Sequence, residues 1–112
     1  MRLKFPTEEM RDLCESELRT QREFGIPVAE ALIALLADID AADNLDDLPA
    51  ERFKSAVSGE CGAYEVQITE DCFVRLSVSQ YAEHQDEAGE VIRAKVRRVM
   101  IHSVEKTEVG HG

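Results

Sequence analysis

A two-layer α+β fold, a helical hairpin packed on an antiparallel sheet in the order strand-helix-helix-strand-strand-strand, is what this chain of 112 residues predicts. Two observations carry the prediction. Apolar residues recur at spacings of three and four as far as Asp40, and at a spacing of two after Ala63. The later strands are joined by so short a connection that they must run antiparallel, and two amphipathic helices can bury their stripes only by lying on that sheet as a hairpin. The length supports one core, so residues 1–112 form one domain with a loose tail from about 107.

Met1 to Phe5 alternates polar and apolar and stops at Pro6, which makes a short first strand. Thr7 offers an N-cap, and Glu8 and Glu9 sit where the helix dipole favours carboxylates. Met10, Leu13, Cys14 and Leu18 then form one apolar stripe as far as Phe24-Gly25. Pro27 opens a second helix whose Ala31, Leu32, Leu35, Leu36 and Ile39 form a broad apolar face, so this should be the most buried helix. An acidic connector from Asp38 to Asp47 leads to a short helical or irregular stretch over Glu51 to Val57, and Gly59 and Gly62 mark a loop. Tyr64, Val66 and Ile68 define one strand; Val74, Leu76 and Val78 define its antiparallel partner across Glu70-Asp71. Tyr81 to Glu90 is a polar loop. From Val91 to Val104 the chain is strand-like, with an inside-outside slip at Arg97-Arg98 that a β-bulge or a late start near Val96 explains. The expected core is Leu13, Leu18, Leu32, Leu35, Leu36, Val66, Ile68, Leu76 and Val78.

The formal net charge of -10 comes from 13 basic and 23 acidic side chains. Such a polyanion is repelled by nucleic acid and anionic membranes unless a local basic patch overrides the field. Residues 1–50 hold 5 basic and 12 acidic side chains and residues 51–112 hold 8 and 11, so an anion site belongs in the second half. No apolar run reaches a membrane span and no signal-like segment opens the sequence, which points to a cytoplasmic protein. The odd number of cysteines, Cys14, Cys61 and Cys72, suits free thiols in a reducing compartment.

Metal-ligand spacing is missing from Cys61, Cys72, His84 and His102, and the aspartates of Asp38 to Asp47 do not match a calcium loop, so neither metal nor cofactor is expected. No dinucleotide, phosphate-loop or nucleophile-elbow string occurs. What remains is a run of cations: Arg75 opposite the apolar face of its strand, then Arg93, Lys95, Arg97, Arg98 and Lys106. They form either a solvated sheet face balancing Glu65, Glu70 and Glu90 or an anion site, for which the forked guanidinium is suited.

Several strings, in order, resemble the HigB-like branch of the RelE/ParE toxin superfamily, the toxins of type II toxin-antitoxin modules. They are Leu13-Cys14-Glu15-Ser16-Glu17 with Phe24-Gly25, the stretch from Ala31 to Pro49, Gly59-Glu60-Cys61-Gly62-Ala63-Tyr64-Glu65-Val66, and Val74-Arg75-Leu76, together covering nearly the whole chain. The resemblance implies a RelE-like fold and a metal-independent mRNA endoribonuclease acting at the ribosome, with growth inhibition and plasmid maintenance as its biology. The implied partner is a cognate helix-turn-helix antitoxin. In that chemistry a ribose 2'-hydroxyl attacks the adjacent phosphate, so the protein must stabilise the phosphorane and move protons. Only Arg75 carries over, as the phosphate-stabilising residue; Arg97 or Arg98, with Lys106, would add the cationic field that binds RNA. The branch usually ends its last strand with Asp-Tyr-His, where this sequence has Glu105-Lys106-Thr107. His102 and Lys106 are therefore the candidate proton carriers. The alternatives are a degenerate, non-catalytic RelE-fold protein-binding module, or a toxin with a protein target.

Overall fold

The hydroxyl of Thr7 accepts a hydrogen bond from the Met10 amide at 3.1 Å and starts the first helix, as its place before Glu8 and Glu9 requires. The computed structural model describes residues 1–56, 62–78 and 84–107. Strand β1 (Arg2–Lys4) is followed by α1 (Glu8–Glu15), α2 (Glu17–Phe24) and α3 (Ile26–Ala41). Short 3-10 turns at Leu45–Asp47 and Ala50–Arg52 lead to β2 (Lys54–Ser55). Strands β3 (Ala63–Thr69) and β4 (Cys72–Val78) come next, then a 3-10 turn at Arg93–Lys95 and β5 (Arg98–Lys106). The architecture is α+β. Among the described residues no helix is long and apolar enough to cross a membrane.

Where one helix was expected over Met10 to Phe24 there are two, because Ser16 leaves the helical region (φ -109°, ψ 105°) and its hydroxyl accepts from the Arg19 amide to cap α2. The break re-aims the stripe. Thr20 turns inward, and its hydroxyl donates to the Leu13 carbonyl at 2.7 Å, while Leu18, expected in the core, is 66% exposed. The hairpin turn is made by Gly25 at φ 92°, a conformation costly for any side chain with a Cβ. Helix α3 buries Val28, Ala29, Leu32, Leu35 and Ile39; of the predicted face Leu32, Leu35 and Ile39 are in the core, Ala31 and Leu36 are half-buried, and Val28 and Ala29 turn inward instead, while Ile68 packs at the margin.

The sheet has five strands in the order β1-β5-β4-β3-β2, and it is mixed. Pairing is antiparallel from β2 to β5, but β1 lies parallel to β5, with Leu3 beside Val99, which corrects the expected all-antiparallel sheet. A parallel pair needs a long crossover, and the three helices supply it. The stretch expected to be helical or irregular after Glu51 adds edge strand β2, pairing Lys54 with Glu65; Val57 and Gly59 lie outside the described residues. Val66, Val74, Leu76, Val99 and Ile101 are fully buried and meet α3 in a single core.

The last strand starts at Arg98, close to the late start near Val96 that explains the slip at Arg97-Arg98, and it carries a further slip that the pattern did not mark. Arg75 pairs with Ser103 while Leu76 pairs with Ile101, so His102 is the extra residue of a β-bulge. The bulge lets Val99, Ile101 and Val104 all face inward despite their mixed parity. Within the predicted polar loop, an isolated bridge joins Gln85 to Val91 around a turn at Gly89; residues 79–83, including Tyr81, lie outside the described set, as does the tail from 108.

Candidate functional site

Arg75 stands in the middle strand of the sheet and is exposed on the face away from the helices. Strand alternation puts Phe73 and Ser77 on that face with it, and register adds Glu65 and Gln67 from β3 and Ser103 and Glu105 from β5. The bulge presents His102 there as well, its Nε2 and the Ser77 hydroxyl sharing a hydrogen bond of 2.7 Å. At the margins β1 contributes Arg2 and Lys4, β5 contributes Arg98, and β2 contributes Lys54.

The sequence suggested that neighbouring strands would bring more cations to Arg75. They bring carboxylates. Its Nε donates to Glu105 Oε2 at 2.9 Å and its Nη2 lies 3.9 Å from Glu65 Oε2. The guanidinium carbon is 5.8 Å from the centre of the Phe73 ring, and Glu105 Oε2 also accepts from the Ser103 hydroxyl at 2.8 Å. The resulting Ser103-Glu105-Arg75-Glu65 chain fixes the guanidinium's plane.

The other candidate residues are dispersed. Lys106 pairs with the buried Cys72, so alternation directs it to the helix side of the sheet, away from Arg75. Arg98 is on the open face beside Arg2; Arg97 precedes the strand, exposed, its carbonyl accepting the Arg2 amide at 2.9 Å. Arg93, grouped by sequence with the last strand, turns inward instead. Its Nη2 donates to the carbonyls of Leu45 and Leu48, both at 2.8 Å, and its guanidinium lies over the Phe53 ring at 5.6 Å. Arg93 is thus a clamp on the acidic connector.

Charge is divided between the layers. Among the described residues of the strands' open face, Arg2, Lys4, Lys54, Arg75 and Arg98 stand against Glu65 and Glu105. From Glu8 to Asp47, the helical layer and its connector carry twelve carboxylates against Arg11, Arg19 and Arg22. Among the described residues, the helical layer and its connector are thus strongly anionic and the open face of the strands is cationic, so a polyanion is repelled by the one and attracted by the other.

Cys14 and Cys72 are free and buried. Burial, and then the nearby Glu15 charge, pushes Cys14 up to about 11; burial and then Asp71 raise Cys72. Cys61 lies outside the described residues. Among the described residues no group of three His, Cys, Asp or Glu side chains is placed to share a metal ion.

Glu105, Ser103 and Ser77 were not singled out from sequence, and Glu65 entered only as a balancing charge. The alternation of β3 and β4 already placed Glu65 and Ser77 on the polar face. Glu105 was hidden by the bulge, because counting by twos from Val99 and Ile101 puts residue 105 on the buried side. No family model, curated protein or solved structure matches the chain.

Proposed function

We propose that the chain is a RelE-like toxin of a type II toxin-antitoxin module, a metal-independent endoribonuclease that engages mRNA at the ribosome through its open sheet face. The observation that carries this reading is the cationic sheet face, centred on Arg75, in a protein whose net charge is -10. Its acidity, which argues against RNA as a target, is concentrated on the helices and leaves the sheet face free to attract phosphates. A cytoplasmic location and a helix-turn-helix antitoxin partner go with the reading.

The chemistry assigned to the face is transesterification. Glu65, 3.9 Å from Arg75, takes the proton of a ribose 2'-hydroxyl as that oxygen attacks the adjacent phosphorus. Arg75, oriented by Glu105, neutralises the equatorial oxygens of the phosphorane. His102 gives a proton to the departing 5'-oxygen, leaving a 2',3'-cyclic phosphate; Ser77 positions its ring. Glu105 occupies about the place where the HigB-like branch usually has Asp. Lys106 has no part in this scheme, since it belongs to the other face.

A second reading has its own observation. Arg75 is already neutralised by two carboxylates, as expected of a degenerate fold that binds protein and cuts nothing. Expression of the wild type and Arg75→Ala without an antitoxin separates the two. The toxin reading predicts growth arrest with mRNA cuts, both lost in Arg75→Ala; an inert wild type favours the binding module.

A further inference from the structure

Helix α3 presents a second stripe on the side away from its buried face. Ile26, Glu30, Ile33, Ala37 and Asp40 follow one another at spacings of four and three, the period of a coiled-coil seam, and all five are exposed. Ile26 and Ile33 are 57% and 41% exposed, and with Leu18 they are the large apolar side chains left in solvent among the described residues. Ala37 and Asp40 also border a groove of about 880 Å³ along β1, where Arg2, Lys4 and Arg11 join Glu15 and Asp40 in the lining, so the seam rather than this groove is the anionic surface. The two isoleucines lie two turns apart on one side of the helix and are not part of the chain's own core, which leaves an apolar stripe open to a partner.

Its charges identify the occupant. Helix α3 contains Glu30, Asp38 and Asp40 and no lysine or arginine, and twelve carboxylates lie between Glu8 and Asp47. A second copy of α3 would set carboxylate against carboxylate, and a nucleic acid would be repelled. We propose that the Ile26-Ile33-Ala37 seam docks a cationic amphipathic helix of a partner protein, with its apolar residues between the isoleucines and its lysines or arginines on Glu30 and Asp40. This assignment is independent of any activity at the sheet face.

The test titrates the full chain with a synthetic helix of roughly 20 residues, leucine at the seam positions and lysine elsewhere, and with a scrambled peptide of the same composition. The seam peptide should bind about tenfold tighter or better, and NMR should place the shifted amides at Ile26 to Asp40. Exchanging Glu30→Lys together with Asp40→Lys should reverse the preference toward a peptide bearing glutamate in place of lysine. Should that pair fail to fold, Glu30→Gln with Asp40→Asn should weaken the lysine peptide several-fold. Equal affinity for both peptides, no binding, shifts on the sheet face, or charge variants without effect would overturn the proposal.

Discussion

Replacing Arg93 by alanine should destabilise the fold by about 2 kcal/mol, although the residue touches no part of the candidate site. Its guanidinium serves two carbonyls at 2.8 Å, those of Leu45 and Leu48, in residues that are themselves buried. Hydrogen bonds to a charged donor contribute roughly 1.5 kcal/mol each at the lower end, and the contact over Phe53 adds about 0.5 kcal/mol. Against this stands about 2 kcal/mol of side-chain entropy regained when the arginine is no longer held, part of which is cancelled by the two carbonyls left without a donor. The 3.8 Å approach to the exposed Asp46 adds little. Urea denaturation followed by circular dichroism should show a lower midpoint with an unchanged slope, and thermal melting should fall on the order of 10 °C. Arg93→Met keeps the apolar stem and should lose nearly as much as alanine. Wild-type stability in the methionine variant would show that packing alone holds the connector, and would refute the hydrogen-bond argument.

Cys14 should react with iodoacetamide at pH 8 roughly 100-fold more slowly than an unperturbed thiol, since its pKa of about 11 leaves far less thiolate; mass spectrometry of timed aliquots reads the rate. Because the folded value lies above the ordinary 9.0, the neutral thiol's contribution is fully present below pH 9 and is lost as pH rises toward 11, a loss of at most about 3 kcal/mol in a denaturation series. Thr7→Ala and Ser16→Ala should each cost about 1 kcal/mol by loss of an N-cap, measured in the same way. Glu65→Gln combined with Glu105→Gln should split binding from cleavage. A short RNA should bind about tenfold tighter by fluorescence anisotropy, with a steeper salt dependence, while cleavage falls; weaker binding would show that the carboxylates position Arg75 more than they shield it.

The elements with one clear period were legible in the sequence, and those where two local preferences compete were not. Strands β3 and β4 obey a single spacing, so their inward sides followed directly, as did Leu32, Leu35 and Ile39 of α3, and Arg75 was placed correctly on the open side of a central strand. Leu18 continued the stripe of α1 by spacing alone, but Ser16 prefers to cap, and the restart of the helix turned Thr20 inward in its place. The parallel pairing of β1 with β5 brings Leu3 beside Val99, a juxtaposition no local pattern records. At the candidate site, the sequence displayed a row of arginines and lysines, but register decides which charges meet. Arg93 left that row for the carbonyls of Leu45 and Leu48, Lys106 fell on the far face, and the His102 bulge delivered Glu105 to Arg75.

Purified protein incubated with a translated mRNA on ribosomes, followed by analysis of the RNA ends, tests the central claim most directly. Attack by the 2'-hydroxyl requires 2',3'-cyclic phosphate ends at the cuts without added metal, present in the wild type and reduced about 10²-fold or more in Arg75→Ala. An RNA left intact by the wild type, or cuts that persist undiminished in Arg75→Ala, would contradict the assignment of the sheet face as a ribonuclease site.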